Sequence, residues 1–143
     1  MNRKIKFRGR TPKGEWLYGD LHQWNDGTVC IGVNNEYWDD DGVQSSDYLK
    51  IPEVNPDTVG QFTGLHDSNG KEIYEGDIVR FNQKFLIENI LRVSYEYSHR
   101  GGFSLCTKEG YYGMFGDAWL EPFYCEVIGN VHDNPELLKG GEK

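Results

Sequence analysis

Glu75 and Asp77, in the run Tyr-Glu-Gly-Asp, are the carboxylates of this 143-residue chain best spaced for acid–base work. A carboxylate pair two residues apart can divide the roles of proton donor and acceptor. Glu-Gly-Asp is also the chemistry of a sharp corner. The glycine takes a backbone angle other residues resist, and the aspartate side chain holds the turn's amides. The corner reading accounts for every polar residue of the stretch and is preferred. The four histidines, His22, His66, His99 and His132, show neither HxH nor HExxH spacing, so no metal site is expected. Asp39, Asp40 and Asp41 are adjacent. A calcium loop alternates its carboxylates and closes with a glutamate, so this run reads as a solvated loop. Cys30, Cys106 and Cys125 are odd in number and form no CxxC pair. They sit inside apolar runs, where thiols are inert, and predict reduced, buried cysteines rather than a disulfide framework. A Cys–His nucleophilic pair would need partners that only the fold brings together. P-loop, GxGxxG and GxSxG patterns are missing from the sequence. The expectation is no catalytic residue, no cofactor, no metal and no enzymatic activity.

Binding chemistry is better represented. Tyr111, Tyr112, Phe115 and Trp119 fall in the glycine-rich run KEGYYGMFGDAW and form a candidate binding face. Exposed, they could stack on bases or anchor a protein; buried, they would be a small core beneath a loop. Both readings stay open. Six of the 15 basic residues precede position 14: Arg3, Lys4, Lys6, Arg8, Arg10 and Lys13. They suit a nucleic acid or an acidic partner, but a solvated strand face that discourages edge pairing is preferred. The net charge of −8 repels phosphate backbones and disfavours nucleic acid.

The elements that must position these residues read as strands and tight turns. Ile5 and Phe7 predict one buried face of a first strand, with Lys4, Lys6 and Arg8 on the solvent face. Pro12-Lys13-Gly14 predicts a turn, and Trp16 and Tyr18 then share a face. Asn25-Asp26-Gly27 predicts a hairpin, with a type I′ turn as the expected geometry. Residues 34–47 read as a polar loop. Residues 51–60, with two prolines, read as a linker or crossing segment and as the domain boundary. Asn69 and Gly70 predict a second hairpin turn, and Gly76 with Asp77 the corner before a strand ending at Phe81. Residues 85–97 predict two strands, with a helical turn near residues 88–90. A strand at 102–107, the glycine-rich loop and a long strand at 120–131 follow. A last helical turn is expected, with Asn134 as N-cap and Pro135 at its first position. The resulting division is an N-terminal β subdomain at 1–58, a second β unit at 59–134, and a turn and tail at 135–143.

The first half carries Trp16, Tyr18, Trp24, Tyr37 and Trp38. A unit of about 60 residues cannot easily cover so many large rings. Trp16, Tyr18, Trp24 and Trp38 are therefore candidates for self-association, and a homo-oligomer built on dimers is expected. The first ten residues lack an apolar signal core, and no run reaches the roughly 18 apolar residues of a membrane helix. A soluble cytoplasmic protein without membrane partners is the expectation.

Three blocks, IKFRGRTPKGEWLYGDL, VGQFTGLHDSNGKEIYEGDIVRF and VIGNVHDNPELL, together resemble the YopX family of phage and prophage proteins. Departures fall in residues 34–47 and 111–119. The resemblance implies an all-β chain with an N-terminal β subdomain involved in self-association and a C-terminal SH3-like barrel. It implies a bacterial host cell and a host or phage protein as partner. It supplies no catalytic residues.

Overall fold

The computed structural model describes residues 4–34, 49–83, 86, 89–95, 102–117 and 120–139. The chain is all-β, with strands in two antiparallel sheets and one short helix among the described residues. It divides into two compact units, Met1–Gln61 and Phe62–Lys143.

In the first unit, β1 (Phe7–Arg10), β2 (Trp16–Gln23), β3 (Val29–Asn34) and β4 (Leu49–Lys50) pair in the order β4-β3-β2-β1. Gly60 and Gln61, at the start of β5 (Gly60–His66), pair with β1 on its other side. The period of two in the sequence selects the buried face. Leu17 and Leu21 of β2 and Val33 of β3 pack with Phe7 and Val59 around buried Val29, Ile31 and Val54. The opposite face carries Arg10 opposite Trp16 and Arg8 opposite Tyr18. Here the sequence expectation is reversed at two positions. Ile5 lies before β1 and is 56% exposed, whereas Arg8 is only 5% exposed. The Arg8 guanidinium sits 4.8 Å from the Trp16 ring centroid, so the ring accepts the cation and the apolar stem is covered with it.

Residues 51–60 are a crossing segment woven into this unit. Val54 is fully buried and its N–H donates to the Val29 carbonyl at 2.9 Å. Asn55 N–H donates to the Arg10 carbonyl, and Arg10 N–H to Thr58 Oγ1, each at 2.8 Å. Asn55 Oδ1 caps the 3₁₀ turn Pro56–Thr58, with proline at its start as helix-end chemistry favours.

In the second unit, the rest of β5 pairs with β6 (Glu72–Tyr74). β7 (Asp77–Phe81), β8 (Ile90–Ser94), β9 (Ser104–Thr107), β10 (Gly110–Met114) and β11 (Cys125–Asn130) form a sheet in the order β10-β9-β8-β7-β11. Its buried face is Val79, Phe81, Leu91, Val93, Leu105 and Cys125, closed by Ile73 and Leu120. Among the described residues no ladder joins β10 to β11, so no closed barrel is found.

Four local expectations need correction. The glycine-rich run at 108–119 contains a strand, β10, with a bulge between Tyr111 and Gly113 that keeps it paired to β9. The long strand at 120–131 is split, because Pro122 fixes φ and lacks an N–H; a 3₁₀ turn, Pro122–Tyr124, precedes β11. Within 85–97 one strand, β8, is found among the described residues; of the helical turn expected near 88–90, Glu88 lies outside them and Ile90 already begins β8. The final helix α1 (Glu136–Lys139) exists, but the Asn134 side chain turns away from it, Oδ1 accepting from Asn130 N–H at 3.2 Å.

Candidate functional site

The stretch at 63–81 builds two turns, and each is held by a buried carboxylate. At the first, Gly70 N–H donates to the Asp67 carbonyl at 3.0 Å and Asp67 N–H to the Lys71 carbonyl at 2.9 Å. Those bonds define a three-residue loop of Ser68, Asn69 and Gly70, with Gly70 at φ 83°. The hairpin at 24–28 shows the same bonds, Gly27 N–H to Trp24 and Trp24 N–H to Thr28, with Gly27 at φ 94°. The sequence reading assigned a type I′ turn there. The geometry is the longer loop closed by a glycine bulge, which also suits the strand twist.

Asp67 is 6% exposed, and its carboxylate does more than shape a turn. Oδ1 accepts from the N–H groups of Asn69 and Lys71, and Oδ2 from the N–H of Val127 in β11, each at 2.9 Å. Ser68 N–H adds a bond to the Cys125 carbonyl at 2.9 Å. Burial pushes the Asp67 carboxyl up, but the Val127, Lys71 and Asn69 N–H donors and the Lys71 ammonium outweigh it. They hold it below the ordinary carboxylate value. The carboxylate therefore pins the hairpin to a strand 60 residues further along the chain.

At the second turn, Asp77 is fully buried and Oδ2 accepts from Tyr74 N–H at 2.7 Å. Gly76, at φ 93°, donates to the Val93 carbonyl at 2.8 Å and accepts from Val131 N–H at 2.9 Å. The corner thereby ties the end of β6 to β8 and to the end of β11. The same device recurs at Met114-Phe115-Gly116-Asp117, where Asp117 Oδ2 accepts from Met114 N–H at 2.9 Å and Gly116 has φ 96°. Asp77 thus holds the Tyr74 backbone amide at the corner.

The thiols are equally committed. Cys30, Cys106 and Cys125 are free and buried. Burial, with the charges of Asp67, Asp77 and Glu126, pushes the Cys125 thiol up to about 12. A thiol held protonated is a poor nucleophile. His66 lies edge-on to Phe62, and His22 and His132 are half-buried. Among the described residues no group of His, Cys, Asp and Glu is arranged to hold a metal ion. Asp39, Asp40, Asp41 and His99 lie outside the described residues.

The candidate binding residues do not share one exposed face. Tyr111 is exposed, but Tyr112 and Phe115 pack against the second unit's core, with the Phe115 ring 6.3 Å from that of Phe81. Trp119 lies outside the described residues. Of the self-association candidates, Tyr18 is exposed, Trp24 is 55% exposed beside a hairpin turn, Trp16 is half-buried under Arg8, and Trp38 lies outside the described residues. Asn69 and Gly70 are exposed at the hairpin tip, as a turn requires. The sequence reading missed the tie made by Asp67 and the exposed ring of Phe123. The aspartate that opens Asp-Ser-Asn-Gly was a visible turn signal, but its third bond joins residues far apart in sequence.

The family model described as YopX protein matches residues 6–139. The crystal structure of protein EF1440 from Enterococcus faecalis is similar, at 24% sequence identity and a TM-score of 0.51. That likeness covers 94% of this chain and 98% of the other, and it shows a shared fold. No curated protein matches the chain. With the match running over nearly its whole length, the chain belongs to the YopX family.

Proposed function

We propose that this protein is a non-enzymatic accessory protein of a phage or prophage. It acts in the host cytoplasm by binding other proteins, including copies of itself. The observation that carries the reading is where the large rings lie. Tyr18 and Trp24 in the first unit, and Tyr95, Tyr111 and Phe123 in the second, are exposed despite their apolar area. Rings left in water in this number are the anchors of protein interfaces. The first unit is the self-associating subdomain in this reading, and the second an SH3-like module that meets the partner. Against an enzyme stand the carboxylates of Asp67 and Asp77, taken up by backbone amides, and the protonated thiol of Cys125. The test is affinity capture from phage-infected cells, followed by reconstitution with the purified partner. Failure of every captured protein to form a complex with the purified chain refutes the reading.

The basic N-terminal stretch, with Lys4 and Lys13 exposed, supports a second reading, a nucleic-acid-binding small barrel. A salt titration separates the two. Phosphate contacts make log K fall with log salt by about 0.9 per contact on duplex DNA. Failure to bind DNA or RNA at low salt removes this second reading. Self-association is read by sedimentation equilibrium at micromolar concentration. The expected result is a dimer-based mass that Trp24→Ala shifts toward the monomer; a clean wild-type monomer refutes it.

A further inference from the structure

Asn69 is the only asparagine of the chain followed by glycine. That pair has a chemistry of its own. The glycine nitrogen, with no side chain beside it, attacks the carboxamide carbon of the preceding asparagine. Water then opens the five-membered imide to aspartate or to isoaspartate. Every other asparagine precedes proline or a residue whose side chain hinders the attack. Asn69 and Gly70 are exposed at the hairpin tip. Apart from its chain neighbours, no atom lies within 4 Å of where a Gly70 Cβ would stand. Water and base therefore reach both reacting groups.

The closed hairpin withholds the proton and the geometry. Three consecutive N–H groups converge on Asp67. Those of Asn69 and Lys71 donate to Oδ1, each at 2.9 Å, and that of Gly70 between them donates to the Asp67 carbonyl at 3.0 Å. The proton that base must remove first is thus held against a carbonyl. To close the imide ring, the Asn69–Gly70 peptide must rotate until its nitrogen faces the carboxamide carbon, which breaks that bond. Asp67 is itself fixed by Val127 N–H on Oδ2. We propose that Asn69 is a site of spontaneous deamidation and that Asp67 gates it, protecting it while the hairpin is closed and releasing it when the hairpin opens. In the step, Gly70 N loses its proton and bonds to Asn69 Cγ. The Cγ–Nδ2 bond breaks, and ammonia leaves with the proton that Gly70 gave up. Water then cleaves one of the two imide C–N bonds. Cleavage at Cγ gives aspartate, and cleavage at the main-chain carbonyl gives isoaspartate, which lengthens a three-residue loop by one carbon. Either product places a new carboxylate next to the Asp67 clamp, so an opening of the hairpin is recorded in the covalent chain.

The experiment holds the full-length chain in mildly alkaline buffer and follows the peptide containing Asn69 by mass mapping, with isoaspartate separated from aspartate by chromatography. Wild type is compared in native buffer, in denaturant below its unfolding midpoint and in denaturant that unfolds it. Asp67→Ala is followed in native buffer after its own midpoint shows it folded. The unfolded chain is expected to convert Asn69 about tenfold or more faster than the native one, and Asp67→Ala to raise the native rate about fivefold or more. Should Asp67→Ala fail to fold, the wild-type series decides: the rate must rise with denaturant before global unfolding begins, as local opening of the hairpin requires. No conversion in the unfolded chain overturns the site. Equal rates in the native and unfolded chain overturn the protection. A native rate that Asp67→Ala leaves unchanged, or a wild-type rate that rises only with global unfolding, overturns the gate.

Discussion

Replacing Asp67 by alanine removes one carboxylate and leaves three backbone N–H groups, those of Asn69, Lys71 and Val127, without their acceptor. Bonds to a charged acceptor are worth about 1.5–3 kcal/mol each. Asn69 lies at the exposed hairpin tip, where water replaces most of the loss. The Val127 bond joins the hairpin to β11, where water substitutes poorly. The expected cost of Asp67→Ala is about 3 kcal/mol. Asp67→Asn keeps a carbonyl oxygen for the hairpin but turns an NH₂ group toward Val127 N–H, and should cost about 2 kcal/mol. Urea unfolding at neutral pH reads both; with a slope of about 2 kcal/mol per molar, the alanine midpoint falls by about 1.5 M. The pH dependence has a definite sign. The folded carboxyl is held below its unfolded value near 3.9, so its contribution is present above about pH 4 and fades as pH drops through the folded value. The gap between wild type and Asp67→Asn should therefore narrow on acidification below about pH 4. An alanine variant within about 0.5 kcal/mol of wild type at equal slope would refute the clamp.

Gly76→Val should cost about 1–3 kcal/mol more than Glu75→Ala, since position 76 holds φ 93° in a corner that binds two strands; equal urea midpoints and slopes would revive a functional role for Glu75. Gly19→Ala should destabilise the first unit by about 3 kcal/mol or more, because a Cβ there would lie 2.0 Å from the Gly32 carbonyl oxygen; an unchanged thermal midpoint would show that β2 and β3 separate freely. Cys125, its thiol raised to about 12, should resist Ellman's reagent at pH 8 until the chain is unfolded by urea, and rapid native labelling of Cys125 would contradict its burial.

What the sequence made legible was chemistry that acts over a few residues. Asn-Asp-Gly, Asn-Gly and Glu-Gly-Asp announced turns because glycine at positive φ and an aspartate near backbone amides are local requirements. Phe7 announced a core face because strand side chains alternate. What stayed hidden depended on partners far away in the chain. Arg8 read as solvent-facing by alternation, yet the ring of Trp16 across the ladder takes its guanidinium, and no strand periodicity encodes that. Tyr112 and Phe115 left a binding face and a small core equally open, and only the fold shows both packed against the second core. Phe123 was passed over because Pro122 seemed to begin a long strand rather than a 3₁₀ turn that presents the next ring to water.

The same contrast bears on where function sits. The densest motif, at 63–81, spends the carboxylates of Asp67 and Asp77 on Tyr74, Asn69, Lys71 and Val127 amides, so those two residues serve assembly of the second unit. Removing such a residue should lower stability and activity together, which makes it a poor guide to a binding surface. Trp24 and Phe123 are the opposite case. Both are more than half exposed, so their removal should leave the urea midpoint almost unchanged. Any loss of binding in those variants then reports the surface itself. Function in this chain is better sought at rings the fold leaves in water than at the motif that most resembles a catalytic loop.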